Sequence, residues 1–210
     1  MDKLSGMSKA SKPIIGIVGG ICSGKSAAAQ ELGRIGCAVI DADEIAHRFL
    51  DDENIRSQIV GVFGKGVLDE QGKISRSGLA RRVFGDPSSL RVLTGILHPP
   101  VLAEVERLTS DYKERPGVRG IVFDMPLLME VGWEKRCDYV IFIDCAPSRR
   151  LERAQKTGIF GADELKIREN LQISLDKKRC IADNVADNNS DLMSLSRQIA
   201  SIFSSIVDGR

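Results

Sequence analysis

The run Gly19-Gly20-Ile21-Cys22-Ser23-Gly24-Lys25-Ser26 constrains the fold of this 210-residue chain more than any other stretch. It meets the pattern G-x-x-x-x-G-K-[ST] at every fixed position, and its flanks are the ones that pattern needs. Ile14-Ile15-Gly16-Ile17-Val18 before it is apolar without alternation, as in a strand buried on both faces of a parallel sheet. Ser26 to Leu32 after it, with three consecutive alanines, reads as the opening of a helix. A strand, a glycine-rich turn and a helix N-terminus together make an anion cradle. Backbone N–H groups converge there on phosphate oxygens, and the helix dipole favours negative charge. Lys25 is expected to reach the β- and γ-phosphates of a nucleotide, and the Ser26 hydroxyl to ligate Mg²⁺.

Four further apolar runs bounded by turn residues follow, at 37–40, 120–124, 139–144 and, more weakly, 184–187. Helical patterning separates them, so the chain is expected to be an α/β protein with a five-stranded parallel sheet between two helical layers. Such a sheet places its ligand at the carboxyl ends of its strands. The first strand ends in the glycine-rich loop, the second in Asp41-Ala42-Asp43, the third in Asp124-Met125-Pro126 and the fourth in Asp144. All four ends therefore carry phosphate-binding or carboxylate chemistry.

Two intervals break the alternation. Residues 46–97 are long for a crossover and glycine-rich, and are read as a helical insertion. Residues 149–179 carry an excess of positive charge, with Gly158 and Gly161 dividing two helical arms. Beside a phosphate site, a basic helical pair of this kind is expected to close as a lid over nucleotide; its plain alternative is a solvated charged face. The resulting division is a disordered tail over 1–12, a nucleotide-binding core over 13–45, 98–148 and 180–210, the insertion over 46–97 and the lid over 149–179.

Thirty basic residues against twenty-nine acidic ones leave no overall basic field, which argues against a nucleic-acid partner. Cys22, Cys37, Cys137, Cys145 and Cys180 are odd in number and scattered, with no C-x-x-C pair, so they indicate neither a zinc site nor a disulfide framework. A reducing, cytoplasmic setting fits them. The apolar runs are strand-sized, and Met1 to Lys12 has no apolar core of the kind a signal peptide needs, so no membrane association is expected.

Asp41 and Asp43 lie two apart, which in extended backbone would aim both carboxylates to one side. One would then accept a hydroxyl proton while the other orients metal-bound water. Asp43 also suits the N-cap of a helix over 44–50. Asp124 stands where a metal-side acid belongs, or serves as a turn residue before Pro126. His98-Pro99 is expected to open a helix with proline in its first turn. His98 is read as locally hydrogen-bonded or catalytic, and His47 as packed or in contact with substrate. Trp133 is assigned to the core. Cys22, near a helix N-terminus, is expected to have a lowered pKa and to be oxidation-sensitive.

From Ile14 to about Asn188 the chain resembles the dephospho-CoA kinases. The motifs that carry the likeness are Gly19–Ser26, Asp41-Ala42-Asp43-Glu44-Ile45-Ala46-His47, His98-Pro99 with Val101, and Asp124-Met-Pro-Leu-Leu-Met-Glu130. Arg153, Arg168, Gln172, Lys178 and Ala182-Asp183 through Asn188 complete the set. The resemblance implies a P-loop kinase core, a helical substrate domain and a lid. It further implies transfer of the ATP γ-phosphoryl group to the ribose 3′-hydroxyl of dephospho-CoA with Mg²⁺. Separately from the resemblance, a monomer is expected, with an oligomer left open. On these motifs Asp43, as base, Lys25 and Arg153 are the catalytic candidates. Gly20, Ile21, Cys22, Ser23, Gly24, Lys25, Ser26 and Ala27 are the nucleotide loop. Asp43, His47, His98, Asp124 and Leu127 are the substrate candidates, and Ser26 and Asp124 the metal ligands.

The chain departs from the family pattern at Cys22, where a glycine is usual, at Ala27, where a hydroxyl residue is usual, and at Thr157, where a lid arginine is usual. A side chain at Cys22 costs about 1 kcal/mol or more if that backbone takes a positive φ. The alternatives are another small-molecule P-loop kinase, acting on a nucleoside, nucleotide or other alcohol, and a catalytically weakened ATP-binding regulator. No Asn-Lys-x-Asp guanine-reading motif occurs, which sets a GTP switch aside.

Overall fold

The structure is a computed structural model that describes residues 11–83, 86–157 and 162–209, without the side chains of 157 and 162–164. The tail expected over 1–12 therefore lies outside the described residues as far as Ala10. At its end Lys12 Nζ donates to the Tyr112 carbonyl at 2.8 Å and to that of Arg115.

The chain divides into two compact units, one of residues 1–40 with 111–210 and the other of Asp41–Ser110. The first is built on five strands: β1 (Ile14–Gly19), β2 (Cys37–Asp41), β3 (Gly120–Asp124), β4 (Tyr139–Asp144) and β5 (Asn184–Asp187). They form a parallel sheet in the order β2-β3-β1-β4-β5, so the first strand lies at its centre. Every residue of β1 is buried, as its unbroken apolar run requires.

Alternation along β1 then assigns its two faces. Ile15 and Ile17 join one core with Val122, Ile141 and Ile143. Over them lie α1 (Lys25–Arg34), through Ala28, Ala29 and Leu32, and α9 (Leu192–Asp208), through Leu195, Ile199, Phe203 and Ile206. Each fully buried large side chain contributes roughly 1.5–3 kcal/mol. Gly16, between the two isoleucines, faces the other layer, where Leu128 Cδ2 and Cys137 Sγ close directly over it. Trp133 belongs to the buried set, its ring centroid 5.7 Å from that of Phe123. The helix α8 (Leu175–Ile181) touches β1 and β4. Between β4 and α8 run α6 (Pro147–Thr157) and α7 (Ala162–Asn170).

The second unit has its own core of Ile55, Ile59, Phe63, Val67, Ile74, Leu79 and Leu93. It contains α2 (Ala42–Phe49), α3 (Glu53–Phe63), α4 (Arg76–Val83) and most of α5 (Pro87–Glu114). The spacing of Ile55, Ile59 and Phe63 gives α3 one apolar face, and Asp52 caps it by accepting from Asn54 N and Ile55 N.

Two sequence expectations fail here. His98-Pro99 does not open a helix: α5 runs unbroken through Pro99 and Pro100. Two prolines remove two intrahelical donors and crowd the carbonyls of Gly95 and Ile96. Packing on both sides outweighs that cost, with Leu93 buried before the prolines and Val101 and Val105 after them. The second failure concerns the Asp41/Asp43 pair. Asp41 is the N-cap of α2, its Oδ1 accepting from Glu44 N at 2.9 Å, and Asp43 is the second residue of the helix. Once that cap forms, residues 42 and 43 are helical, so strand alternation no longer aims the two carboxylates together.

Candidate active site

The loop between β1 and α1 begins with a turn in which Ser23 N donates to Gly20 O at 3.2 Å. Gly24 ends it in the left-handed region (φ 98°), and a Cβ there would collide with the Asn188 amide. Cys22 is the one described non-glycine residue with positive φ, at 59°, so the strain expected of a side chain at this position is present. Lys25 turns back over the loop, its Nζ donating to Gly20 O at 2.9 Å and reaching Gly19 O at 3.4 Å. Ser26 is exposed on the first turn of α1, and Ala27, behind it, packs against the sheet core. Within the loop the Ser23 hydroxyl is buried with no hydrogen-bond partner among the described residues.

Two residues far along the sequence brace this loop, and a third lies against it. Arg153 on α6 donates to Ser23 O at 3.1 Å and to Asn188 O at 2.9 Å, with longer contacts to Cys22 O and Asn188 Oδ1. Asn188, just after β5, donates from Nδ2 to Ser23 O at 2.7 Å. Arg150, one turn before Arg153 on the same face of α6, lies against Gly20. Its Nε donates to Cys145 O at 3.2 Å, and its guanidinium pairs with Glu169 on α7. Burial pushes the Arg150 pKa down from its ordinary value, partly opposed by Cys145 and Cys22. A cavity of about 320 Å³ opens beside Gly20, lined also by Glu169, Asn170, Gln172, Ile173, Ser174 and Leu175.

Sequence reasoning missed Arg150 and gave Asn188 no role. Arg150 was legible only as one charge among many. Its spacing of three from Arg153 was the available signal, since i and i+3 share a helix face.

The Cys22 expectation is reversed. Burial raises the thiol above its usual value of 9.0 and outweighs the lowering by Lys25, Arg150 and Arg153. The thiolate fraction at pH 8 is therefore below that of an ordinary thiol. With limiting iodoacetamide at that pH, Cys180, which is exposed, is expected to label first and Cys22 to lag. Peptide mapping that finds Cys22 labelled as fast as Cys180 would overturn this.

Asp124 ends β3, is 5% exposed, and stands in register with Ile17 on the adjacent β1. Leu127 follows in the turn after it, half-buried. At the far side of that turn Glu130 pairs with Lys178 of α8 at 2.9 Å, Lys178 being only 2% exposed. Gln172 Oε1 accepts from the same ammonium at 3.0 Å, and Glu130 also accepts from Ile173 N. The side chain of Thr157 lies outside the described residues.

The other candidates belong to the second unit. Asp43 and His47 are exposed, one turn apart on the same face of α2. Arg48, next along, lines a cavity of about 450 Å³ with Phe49, Asp51, Asp52 and Glu104. His98 is half-buried within α5, and desolvation lowers its pKa from the ordinary 6.5.

The dephospho-CoA kinase family model matches residues 13–194 of the chain. A dephospho-CoA kinase of Symbiobacterium thermophilum is 39% identical over 182 residues, 85% of this chain and 75% of that protein. One of Carboxydothermus hydrogenoformans is 37% identical over 192 residues, 91% and 93% of the two chains. Among solved structures, that of TT1252 from Thermus thermophilus superposes with a TM-score of 0.76 at 31% identity, covering 93% of this chain and 98% of its own. With its centrally placed β1, its braced glycine-rich loop and these relatives along most of its length, the chain belongs to the dephospho-CoA kinase family.

Proposed function

We propose that this chain transfers the γ-phosphoryl group of ATP to the ribose 3′-hydroxyl of dephospho-CoA, giving coenzyme A and ADP. The observation that carries the reading is the loop from Gly19 to Ser26, with Lys25 folded over it, in a chain matched by the family model from residue 13 to residue 194. Backbone N–H groups and the N-terminus of α1 receive the phosphates, and Lys25 exchanges its carbonyl acceptors for phosphate oxygens. Asp43 takes the proton as the 3′-oxygen forms its bond to phosphorus. The bond from phosphorus to the bridging oxygen breaks, and ADP keeps that electron pair. Arg153 fixes the loop's carbonyls and adds positive charge beside them.

Ser26 and Asp124 offer a hydroxyl and a carboxylate, the hard oxygen donors that suit Mg²⁺, which keeps several waters and takes its remaining ligands from phosphates. When bound, that ion supplies charge neutralisation on the phosphates. No helix of the described residues is long and apolar enough to cross a membrane. We place the protein in the cytoplasm, acting as a monomer on a small-molecule substrate.

Purified protein with Mg-ATP and dephospho-CoA is expected to form coenzyme A and ADP in equal amounts, read by a coupled ADP assay and by chromatography. Turnover of another alcohol from a substrate panel, with none of dephospho-CoA, would sink the assignment.

A further inference from the structure

Two cations converge on one residue of the loop. Lys25 Nζ donates to the Gly20 carbonyl, while a Cβ added at Gly20 would stand 2.7 Å from Arg150 Nη1 and 3.0 Å from its Cδ and Cζ. The arginine side chain thus lies along the α-carbon of the residue whose carbonyl holds the phosphate-reading lysine. Arg150 is 4% exposed, and the carboxylate it meets, Glu169, lines the cavity beside Gly20. A surface arginine of a solvated helical face would show none of these features.

We propose that Arg150 contacts the transferring phosphoryl group, and that Glu169 is the carboxylate from which its guanidinium is drawn when phosphate arrives. The proposal rests on the kinase reading above. Arginine suits the task because its planar fork carries five donors, enough to keep Cys145 O on one nitrogen while others turn to phosphate oxygens. No covalent bond to Arg150 forms or breaks. As the phosphoryl group passes from the ADP oxygen to the acceptor oxygen, charge spreads over its equatorial oxygens, and fixed donors in a water-poor site stabilise that charge. The main-chain contacts that Arg153 makes to Ser23 and Asn188 give it a bracing part, whereas Arg150 stands against Gly20, at the start of the loop.

The test uses Arg150→Gln, Arg150→Lys and Glu169→Gln, with kcat, both KM values and the affinities for Mg-ATP and Mg-ADP measured on each. Arg150→Gln is expected to lower kcat by about 10²-fold, to weaken Mg-ATP, and to leave Mg-ADP and the KM for dephospho-CoA within about twofold of wild type. Arg150→Lys is expected to recover part of kcat. Glu169→Gln, which keeps the cation and removes its partner, is expected to tighten Mg-ATP severalfold. Equal losses of ATP and ADP affinity with kcat unchanged in Arg150→Gln would overturn the proposal. So would a Glu169→Gln variant that weakens Mg-ATP, because the ion pair would then be a strut between α6 and α7. A wild-type protein that leaves dephospho-CoA untouched, yet prefers ATP over ADP in an Arg150-dependent way, would defeat the acceptor assignment and leave Arg150 in place.

Discussion

Replacing Asp43 with asparagine is expected to lower kcat for dephospho-CoA phosphorylation by about 10²–10⁴-fold and to leave Mg-ATP affinity nearly unchanged. The asparagine keeps the side chain's size and removes its capacity to take a proton. Asp43 is exposed and is not the cap of α2, so the substitution leaves the helix start intact. Asp41→Asn serves as the control, because asparagine caps a helix as well as aspartate does. Steady-state rates at saturating substrates, with nucleotide affinity measured separately, decide the matter. A near-normal kcat in Asp43→Asn would leave no base at this position and assign the acceleration to positioning of the two substrates.

Lys178→Met is expected to destabilise the first unit by about 3–5 kcal/mol, the usual consequence of leaving one member of a buried ion pair alone. The ammonium is 2% exposed, and its loss strands Glu130 and Gln172 together. Adding Glu130→Leu is expected to restore part of the stability by removing the orphaned charge. Recovery stays incomplete, because Ile173 N also loses its acceptor. Urea unfolding followed by circular dichroism measures both variants. A loss below about 1 kcal/mol in the single variant, the range of a surface pair, would contradict the burial reading.

The strands were legible because β1, β3 and β4, buried on both faces, must be written as apolar runs, and turn residues bound each one. The phosphate loop was legible because its chemistry is local: one strand end, one turn and one helix start lie within a dozen residues. What escaped was set by tertiary contact. Which aspartate caps α2 depends on where β2 stops, and a strand running two residues further would pass the cap from Asp41 to Asp43. Whether Pro99 begins a helix or sits within one depends on the apolar contacts of Leu93 on one side and Val101 on the other. Asp183 shows the same limit. It stands in a recognisable motif, yet its carboxylate accepts from Val140 N at 2.8 Å and joins the start of β5 to β4, a purpose that only the sheet reveals.

The Asn188 amide that holds Ser23 is separated from it by 165 positions. A ribosome adding about 5–20 residues per second needs roughly 8–33 s to cover that interval. Through all of it the nascent phosphate loop lacks the Asn188 amide, Arg153 reaches it only late in that interval, and β1 lacks both flanking strands for most of the time. The fully braced loop is therefore offered to nucleotide only once nearly the whole chain has been made. A polypeptide released before Asn188 carries the whole glycine-rich signature without the amide that ties Ser23 to the end of β5.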